Sequence, residues 1–255
     1  MTAAPSSPRI AGTGLPVVSV ILATLNEREN LPSLLDRLWK VPLPSFEVLV
    51  IDDGSTDGTR EYLVNAARDE PRLRLVWHEG KQTTLRAQCQ GIAEARGRIV
   101  LVMDADLQHP PEILPAMERA LEEGAALVVG SRYASGGSAG PRTGVRATIS
   151  RGAELTAKIF LSEARPLTDP VSGLFGFRRE IFHPLDPAWR GYKLVLFLLV
   201  MARGRRVVEV GFRFEPRGSG ASKVTQNTRF IRFFLTELLL ARRLETLLAE
   251  GSRRR

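Results

Sequence analysis

Cysteine is almost absent from this sequence of 255 residues, in which Cys89 stands alone. One cysteine cannot form an internal disulfide. Because disulfides are typical of oxidising compartments, we predict a protein of a reducing compartment. The apolar share of 44% in a chain of this length is enough for one sizeable core.

Long apolar runs are missing as well. No stretch approaches the roughly 18 consecutive apolar residues of a transmembrane helix, and the longest candidate, residues 194–202, is far too short. Residues 1–15 are rich in Pro, Ser, Ala and Gly and lack the apolar segment of a signal peptide. We therefore predict a flexible leader over 1–15, one main domain over 16–225, and an amphipathic helix with a basic tail over 226–255.

Histidine is scarce, and several common motifs do not occur. Three histidines argue against Ser-His-Asp chemistry, and His78 and His109 are more easily explained as structural residues than as bases. The sequence contains neither a Gly-rich dinucleotide fingerprint nor a Walker A motif. It also lacks recognisable RNP, zinc-finger and helix-turn-helix patterns, which argues against nucleic acid as the partner.

Basic residues, in contrast, are abundant. Lys and Arg total 36 against 28 acidic residues, and since five of the basic residues are lysines, 31 are arginines. The planar arginine fork binds phosphate oxygens two at a time, so this balance favours nucleic acid, an anionic lipid or a phosphorylated substrate. A genome that prefers arginine would give the same composition, and composition alone does not decide between these readings.

Short β-branched runs alternate with helical patterns, and this rhythm predicts an α/β fold with a mostly parallel, doubly wound sheet. The predicted strands are residues 17–23, 46–51, 73–77, 99–103, 127–129, 174–177 and 207–214. The predicted helices are one from residue 31 capped by Asn30, one that Asp57 opens, 83–95, one starting at Pro110, 143–161 and 228–248. The last two are expected to be peripheral amphipathic helices.

Acidic and amide side chains follow three of the predicted strands. They are Asn26 with Glu27, Asp52 with Asp53, and Asp104 with Asp106. In doubly wound sheets ligands bind outside the carboxyl ends of the strands. We therefore expect the three clusters to converge on one crevice.

The segment Asp104-Ala105-Asp106 is the central candidate for chemistry. Alternate residues of an extended segment point the same way, so both carboxylates can face one site. Hard oxygen ligands with a diphosphate suit Mg²⁺ or Mn²⁺, and Gln108 adds another oxygen. A solvated turn or a helix cap before Pro110 is the alternative. Asp53 can accept hydrogen bonds from a base or ribose, although Asp-Gly turns are common.

Five cations lie in or beside Gly/Ser-rich loops of the second half. They are Arg132, Arg142, Arg146, Arg217 and Lys223. Separated cations that converge can hold a phosphate monoester by charge-assisted hydrogen bonds. Each of them alone is more often a surface charge.

Several motifs together resemble one known family. They are residues 26–32 after the first strand, 52–59, 104–112 (DADLQHPPE), 130–133, 169–173 (DPVSG) and 217–223. On these motifs the chain resembles the glycosyltransferase family 2 enzymes with the GT-A (Rossmann-like) fold, and most closely the dolichol-phosphate mannose synthases. Ala23 and Leu25 stand where that family usually has Pro and Tyr, and Ala221 stands in place of a Glu.

The resemblance implies a role for individual residues. Nucleotide-sugar binding is implied for Ala23, Leu25, Glu27, Ile51, Asp53, Asp104, Ala105, Asp106, Arg217 and Lys223. Binding of the acceptor phosphate is implied for Arg132, Arg146, Ser150 and Arg217, and metal binding for Asp104, Asp106 and Gln108. Asp104, Asp106 and Arg132 are the residues expected to carry catalysis.

The resemblance also implies a reaction. Mannose would pass with inversion from GDP-mannose to dolichyl (polyprenyl) phosphate with Mg²⁺ or Mn²⁺ bound. The enzyme would work peripherally at the cytoplasmic face of a membrane, with or without a membrane-protein partner. Residues 143–161 and 228–248 would lie in the interface or pack on the sheet.

Three other readings stay open. The alternative donors to GDP-mannose are UDP-glucose and a UDP-N-acetylhexosamine. A basic nucleic-acid-binding protein is a more distant alternative. A nucleotidyltransferase is also more distant, because residues 11–40 lack the Gly-rich basic signature that such an enzyme needs.

Overall fold

A seven-stranded sheet forms the centre of the molecule. The computed structural model describes residues 15–78, 82–140, 144–218 and 229–253. The strands are β1 (Val18–Thr24), β2 (Phe46–Asp52), β3 (Leu73–Trp77), β4 (Ile99–Asp104), β5 (Leu127–Ser131), β6 (Phe175–Arg178) and β7 (Val207–Gly211). Their order is β3-β2-β1-β4-β6-β5-β7, and β6 alone runs antiparallel to its neighbours. The predicted α/β class with a mostly parallel sheet is confirmed.

Helices cover both faces of the sheet. They are α1 (Leu31–Lys40), α2 (Thr59–Asp69), α3 (Thr84–Glu94), α4 (Leu114–Glu122), α5 (Gly144–Phe160), α6 (Leu194–Met201) and α7 (Arg229–Arg253). One apolar cluster joins α3, α6 and α7 to one face, and a second joins α1 and α4 to the other. Both faces of β1, β2 and β4 are therefore buried, which explains their continuous apolar sequence.

Two predicted helix starts are wrong in detail. Asn30 precedes α1 but makes no capping bond, and its amide donates to Glu27 Oε2 at 2.7 Å instead. Pro32 in the first turn offers no N–H for a cap to bind. Asp57 does not open α2; its Oδ1 accepts hydrogen bonds from the N–H and hydroxyl of Thr59, where the helix begins.

The helix predicted at Pro110 begins as a short 3-10 turn, Pro111–Ile113, and continues as α4. The apolar run at 194–202 forms α6, whose eight residues are all buried. A helix that is apolar on every side is a core helix when other elements surround it. Among the described residues, none of the helices combines the length and the apolar character needed to cross a bilayer.

The C-terminal helix α7 packs on α6 and also touches α5. Phe234, Leu238, Ala241 and Leu244 of α7 belong to the same apolar cluster as α6. The domain boundaries predicted at residues 15 and 225 fall beside or within undescribed segments and stay predictions.

Candidate active site

The ends of β1, β2 and β4 bring the acidic clusters together. These strands are adjacent and parallel, and Thr24 pairs with Asp52 while Ala23 pairs with Asp104. The clusters that follow them thus meet at one edge of the sheet. We call the space outside these three strand ends the crevice. The expected convergence is a consequence of strand order.

The two neighbouring carboxylates at the end of β2 have different tasks. Asp52 is fully buried and accepts hydrogen bonds from the Ser55 N–H at 3.1 Å and from Arg60 Nε at 2.7 Å. It therefore holds the turn that follows β2. Asp53 Oδ1 accepts a hydrogen bond from the Gln82 N–H at 2.7 Å and lies 3.3 Å from His78 Nδ1.

His78 is buried, and its other ring nitrogen contacts Gln90. Both nitrogens of this ring therefore have protein partners. The arrangement orients the Asp53 carboxylate and does not present His78 as a base.

The loop after β1 is bonded to the loop after β2. Asn26, with a positive φ of 54°, donates its N–H to Ser55 Oγ and accepts from the Thr56 N–H, both at 2.8 Å. The Glu27 N–H donates to Thr59 Oγ1 at 3.1 Å. These bonds fix one wall of the crevice, on which Ala23 and Leu25 are half-buried.

Asp104 and Asp106 lie at the end of β4, and they differ in exposure. The Asp104 side chain is 48% exposed, whereas that of Asp106 is 8% exposed. Asp106 Oδ1 accepts from the Gln108 N–H at 3.1 Å, and its Oδ2 lies 2.6 Å from Arg217 Nη2. Burial raises the pKa of Asp106, and the like charge of Asp104 raises it further.

His109 supports Asp104 from behind. Its Nδ1 accepts the Asp104 N–H at 3.1 Å, and its ring packs edge-on against Phe212 and Phe214. Burial lowers the pKa of His109 to about 4, so the ring is neutral near pH 7. A nitrogen that accepts a backbone proton is not available as a base. His109 is thus a structural residue of the site.

Arg132 forms a two-pronged ion pair with Asp169. Its Nε and Nη2 each lie 2.6 Å from one carboxylate oxygen, and its N–H donates to Oδ2 at 3.2 Å. Glu154 of α5 lies 3.7 Å from Arg132 Nη2 and accepts from Ser150 Oγ at 3.2 Å. Arg132 and Ser150 therefore belong to one network, whose carboxylates were not foreseen.

Comparison with known proteins adds the family. A sequence model described as Glycosyl transferase family 2 matches residues 19–185, more than half of the chain. This chain belongs to glycosyl transferase family 2. The resemblance stated from the motifs is confirmed.

Three curated relatives of this glycosyltransferase carry related names. A dolichol-phosphate mannosyltransferase of Pyrococcus furiosus is 36% identical over 214 residues, which are 84% of this chain and 60% of that protein. A dolichol-phosphate mannosyltransferase of Mycosarcoma maydis is 33% identical, and the match covers 89% of this chain and 80% of that protein. A polyprenol monophosphomannose synthase of Mycolicibacterium smegmatis is 34% identical and covers 89% and 88%. This chain thus spans 60% of the length of the Pyrococcus relative.

Solved structures agree on the fold. Glucosyl-3-phosphoglycerate synthase from Mycobacterium tuberculosis in complex with phosphoglyceric acid superimposes with a TM-score of 0.70 at 22% identity, covering 89% of this chain and 80% of that chain. The structure of the same synthase in complex with Mn²⁺, UDP-glucose and phosphoglyceric acid superimposes with a TM-score of 0.66 at 21% identity. The match covers 88% of this chain and 80% of that chain. At this identity the likeness concerns the fold, and it confirms the GT-A class for the glycosyltransferase.

Several predicted site residues lie at the end of β1, β2 or β4 or in the loop that follows, where the strands border the crevice. They are Ala23, Leu25, Glu27, Asp53, Asp104 and Asp106. The Ile51 side chain is fully buried against Gly91 of α3, so it faces the core. Ala105 and Gln108 are also buried. Arg146 lies in α5, but its side chain is outside the described part of the structure. Arg142 and Lys223 lie outside the described residues.

Arg217 contacts Asp106, which is a different partner from the expected phosphate. The N–H of Gly218 also donates to the Asp106 carbonyl at 3.3 Å. Arg217 thus neutralises a carboxylate that was predicted to bind metal. Its Nε is buried without a hydrogen-bond partner among the described residues.

Sequence reasoning missed Lys193, which precedes α6. Its Nζ donates to the Val171 carbonyl at 2.7 Å, inside the DPVSG segment. Burial lowers the pKa of Lys193, while the Asp104 carboxylate opposes that change. Its one sequence signal is rarity, since it is one of five lysines and stands directly before the longest apolar run.

Proposed function

We propose that this chain transfers mannose from GDP-mannose to dolichyl (polyprenyl) phosphate and forms a β-linked mannosyl phosphate. The observation that carries the proposal is the largely buried Arg132, which Asp169 fixes by a two-pronged ion pair and whose remaining N–H groups suit an anionic acceptor. His78 is held between Asp53 and Gln90, and His109 is neutral and bonded to Asp104. Neither histidine is needed as a base in the proposed reaction, because a phosphate monoester with a second pKa near 6 is already anionic.

The names of the curated relatives support the same acceptor class. In the proposed reaction an acceptor phosphate oxygen attacks the anomeric carbon of the donor sugar. The bond from that carbon to the diphosphate breaks, and GDP leaves with the electron pair. A single displacement inverts the sugar carbon, so an α-linked donor gives a β-linked product. Positioning and electrostatic stabilisation then carry the catalysis.

A divalent cation, Mg²⁺ or Mn²⁺, is part of this proposal. Asp104, Asp106 and Gln108 would hold it, and their hard oxygens suit either ion. The raised pKa of Asp106 reflects a buried carboxylate beside a like charge, an arrangement that a cation relieves. The described residues contain no group of three or more His, Cys, Asp or Glu side chains that could hold a metal ion by itself, and in the proposal the donor diphosphate would supply further oxygen ligands. Such an ion supplies Lewis-acid neutralisation of the leaving diphosphate.

The chain's own cations have a separate task in this reaction. Arg217, whose Nη2 lies 2.6 Å from Asp106 Oδ2, would supply positive charge beside the donor diphosphate. Arg132, fixed by Asp169, would offer its remaining N–H groups to the acceptor phosphate near Ser150. Asp53 would hold the nucleoside on the opposite wall.

We also assign the two peripheral helices to a membrane surface on the cytoplasmic side. Six of the ten exposed large apolar side chains of the described residues lie on α5 and α7. They are Ile149, Leu155, Ile159, Leu235, Leu239 and Leu247. The two helices contact each other, and exposed Arg151, Arg232 and Arg242 flank these side chains. An apolar face beside arginines suits the interface of an anionic bilayer, where the lipid acceptor resides.

One experiment tests the proposed reaction. The purified chain is incubated with Mn²⁺, vesicles containing a polyprenyl phosphate, and each of GDP-mannose, UDP-glucose and UDP-N-acetylglucosamine in radiolabelled form. We expect label in the lipid fraction from GDP-mannose only. Transfer from a UDP-sugar alone would mean that the donor is a UDP-sugar and not GDP-mannose. Ala23 and Leu25, which depart from the residues usual in the family, would then be the first positions to examine. Lack of transfer from all three donors would overturn the proposed acceptor class.

A further inference from the structure

The C-terminal helix α7 sends one carboxylate into the core. Glu237 is fully buried, and its Oε1 accepts the N–H groups of Tyr192 and of Lys193, the latter at 2.6 Å. Gly191 leaves room for this carboxylate, because a Cβ atom there would overlap it. Burying a carboxylate costs free energy unless hydrogen bonds offset it. Glu237 therefore fixes the backbone at the start of α6, and the free-energy cost of burying its carboxylate is offset by these hydrogen bonds.

The next contact leads from α6 towards the crevice. Lys193 Nζ donates to the Val171 carbonyl at 2.7 Å. Val171 lies in the turn of residues 169–173, which is closed by a 3.3 Å bond from the Ser172 N–H to the Asp169 carbonyl. The ammonium group thus holds this 169–173 turn from behind.

The 169–173 turn separates two halves of the site. At one end, Asp169 binds Arg132 through both carboxylate oxygens. At the other end, Gly173 abuts the metal-site carboxylate, since a Cβ atom there would lie 2.9 Å from Asp104 Oδ2. A shift of the turn would move both groups together.

We propose that Lys193 is a positioning residue for sugar transfer, and that Glu237 of α7 acts on the reaction by holding Lys193. This inference rests on the proposed function, because it concerns the alignment of Asp104 with Arg132. It connects the C-terminal helix with the two halves of the site through four named contacts. The Nζ atom of Lys193 is bonded to the Val171 carbonyl, so in this proposal its effect passes through the turn.

The first test separates positioning from binding. Lys193→Met keeps the length of the side chain but removes the bond to Val171. We expect kcat to fall about tenfold to a hundredfold, the change that loss of one charge-assisted hydrogen bond brings. Affinity for GDP without metal, measured by calorimetry, should stay within about threefold, because Asp53 and its partners are untouched and Asp104 would take part only through the cation. Lys40→Met, at an exposed position of α1, is the matched control and should behave as wild type.

The second test asks whether Glu237 acts through Lys193. Glu237→Gln keeps a carbonyl acceptor for both N–H groups and should retain most of kcat, whereas Glu237→Leu removes the acceptor. In the Lys193→Met/Glu237→Leu double variant kcat should fall no further than in the more affected single variant. Independent effects would instead multiply, and that result would overturn the link. If Glu237→Leu does not fold, Glu237→Asp withdraws the acceptor by one methylene and takes its place in the cycle.

A readout without turnover keeps the inference distinct from the proposed function. Hydrogen exchange of peptides covering the 169–173 turn should accelerate in Lys193→Met, while peptides covering residues 51–57 should not change. Unchanged exchange of the turn would overturn the inference even if mannose transfer is found. Accelerated exchange in a chain that transfers no sugar would overturn the proposed function and leave the contact network standing.

Discussion

Arg132 and Asp169 form an ion pair with two parallel contacts of 2.6 Å, and both side chains are almost withdrawn from solvent. Arg132 was predicted to meet a phosphate, yet two of its nitrogens are already bonded. A guanidinium has five N–H donors, so the pair leaves others for a ligand. The carboxylate fixes the plane of the fork before any substrate arrives, which lowers the entropic cost of binding.

Removal of the Asp169 carboxylate should therefore damage the fold. Asp169→Asn removes the nearer of the two carboxylates that pair with the largely buried Arg132, and breaking a buried pair costs about 3 kcal/mol or more. Urea unfolding measures the free energy. In the matched control Asp36→Asn, whose partner Lys40 is exposed, the loss should stay below about 1 kcal/mol. Equal losses in both variants would mean that the Arg132 pair is no stronger than a surface pair.

Metal dependence should be concentrated at Asp106. Asp106→Ala removes a proposed ligand, so transfer should fall to background, and EDTA should do the same to the wild type. The fold should persist in circular dichroism, because a carboxylate with a raised pKa is not a major source of stability at neutral pH. Asp69→Ala, at an exposed position of α2, serves as the control. Full turnover in EDTA would exclude the metal site.

Glu237 should make stability depend on pH. Burial raises the pKa of Glu237 from 4.5 to about 7, although its hydrogen bonds to the Tyr192 and Lys193 N–H groups oppose this. The folded state then holds a proton that the unfolded state releases. The contribution of Glu237 to the free energy of unfolding is fully present below about pH 4.5, and it is lost as pH rises through about 7.

The comparison variant for this effect is Glu237→Gln, which does not titrate. Since one pH unit corresponds to about 1.4 kcal/mol, the wild type should lose up to about 3 kcal/mol relative to Glu237→Gln between pH 4.5 and 8. Urea unfolding at four pH values measures the difference. Parallel pH profiles would show that Glu237 titrates normally.

Membrane attachment should depend on the exposed leucines of α5 and α7. The wild type should float with anionic vesicles and be partly released by salt. Leu155→Glu combined with Leu239→Glu should remain at the bottom of the gradient, because each buried leucine contributes about 1.5–3 kcal/mol. Val64→Glu changes an exposed apolar residue of α2 and should still float. If the wild type does not bind anionic vesicles at low salt, the exposed apolar faces of α5 and α7 do not attach the protein to a membrane.

The order of elements and the position of the acidic groups could be predicted from the sequence. Asp52, Asp53 and Asp104 directly follow continuous apolar runs, and chain order alone puts them at strand ends. The sequence motifs around these residues were sufficient to identify the family. Even local predictions failed where side chains found competing partners: Asn30 binds Glu27, and Asp57 folds the turn before its helix.

The sequence by itself determined which residues end the strands, because apolar periodicity and turn chemistry act over a few neighbouring residues. Only the tertiary structure decided what surrounds them. It brought Asp169 to Arg132 across 37 positions and Glu237 to Lys193 across 44, and it buried His109 so deeply that the ring stays neutral. Pairings over such separations and the loss of water around a charge leave no local pattern, since both depend on which elements pack together.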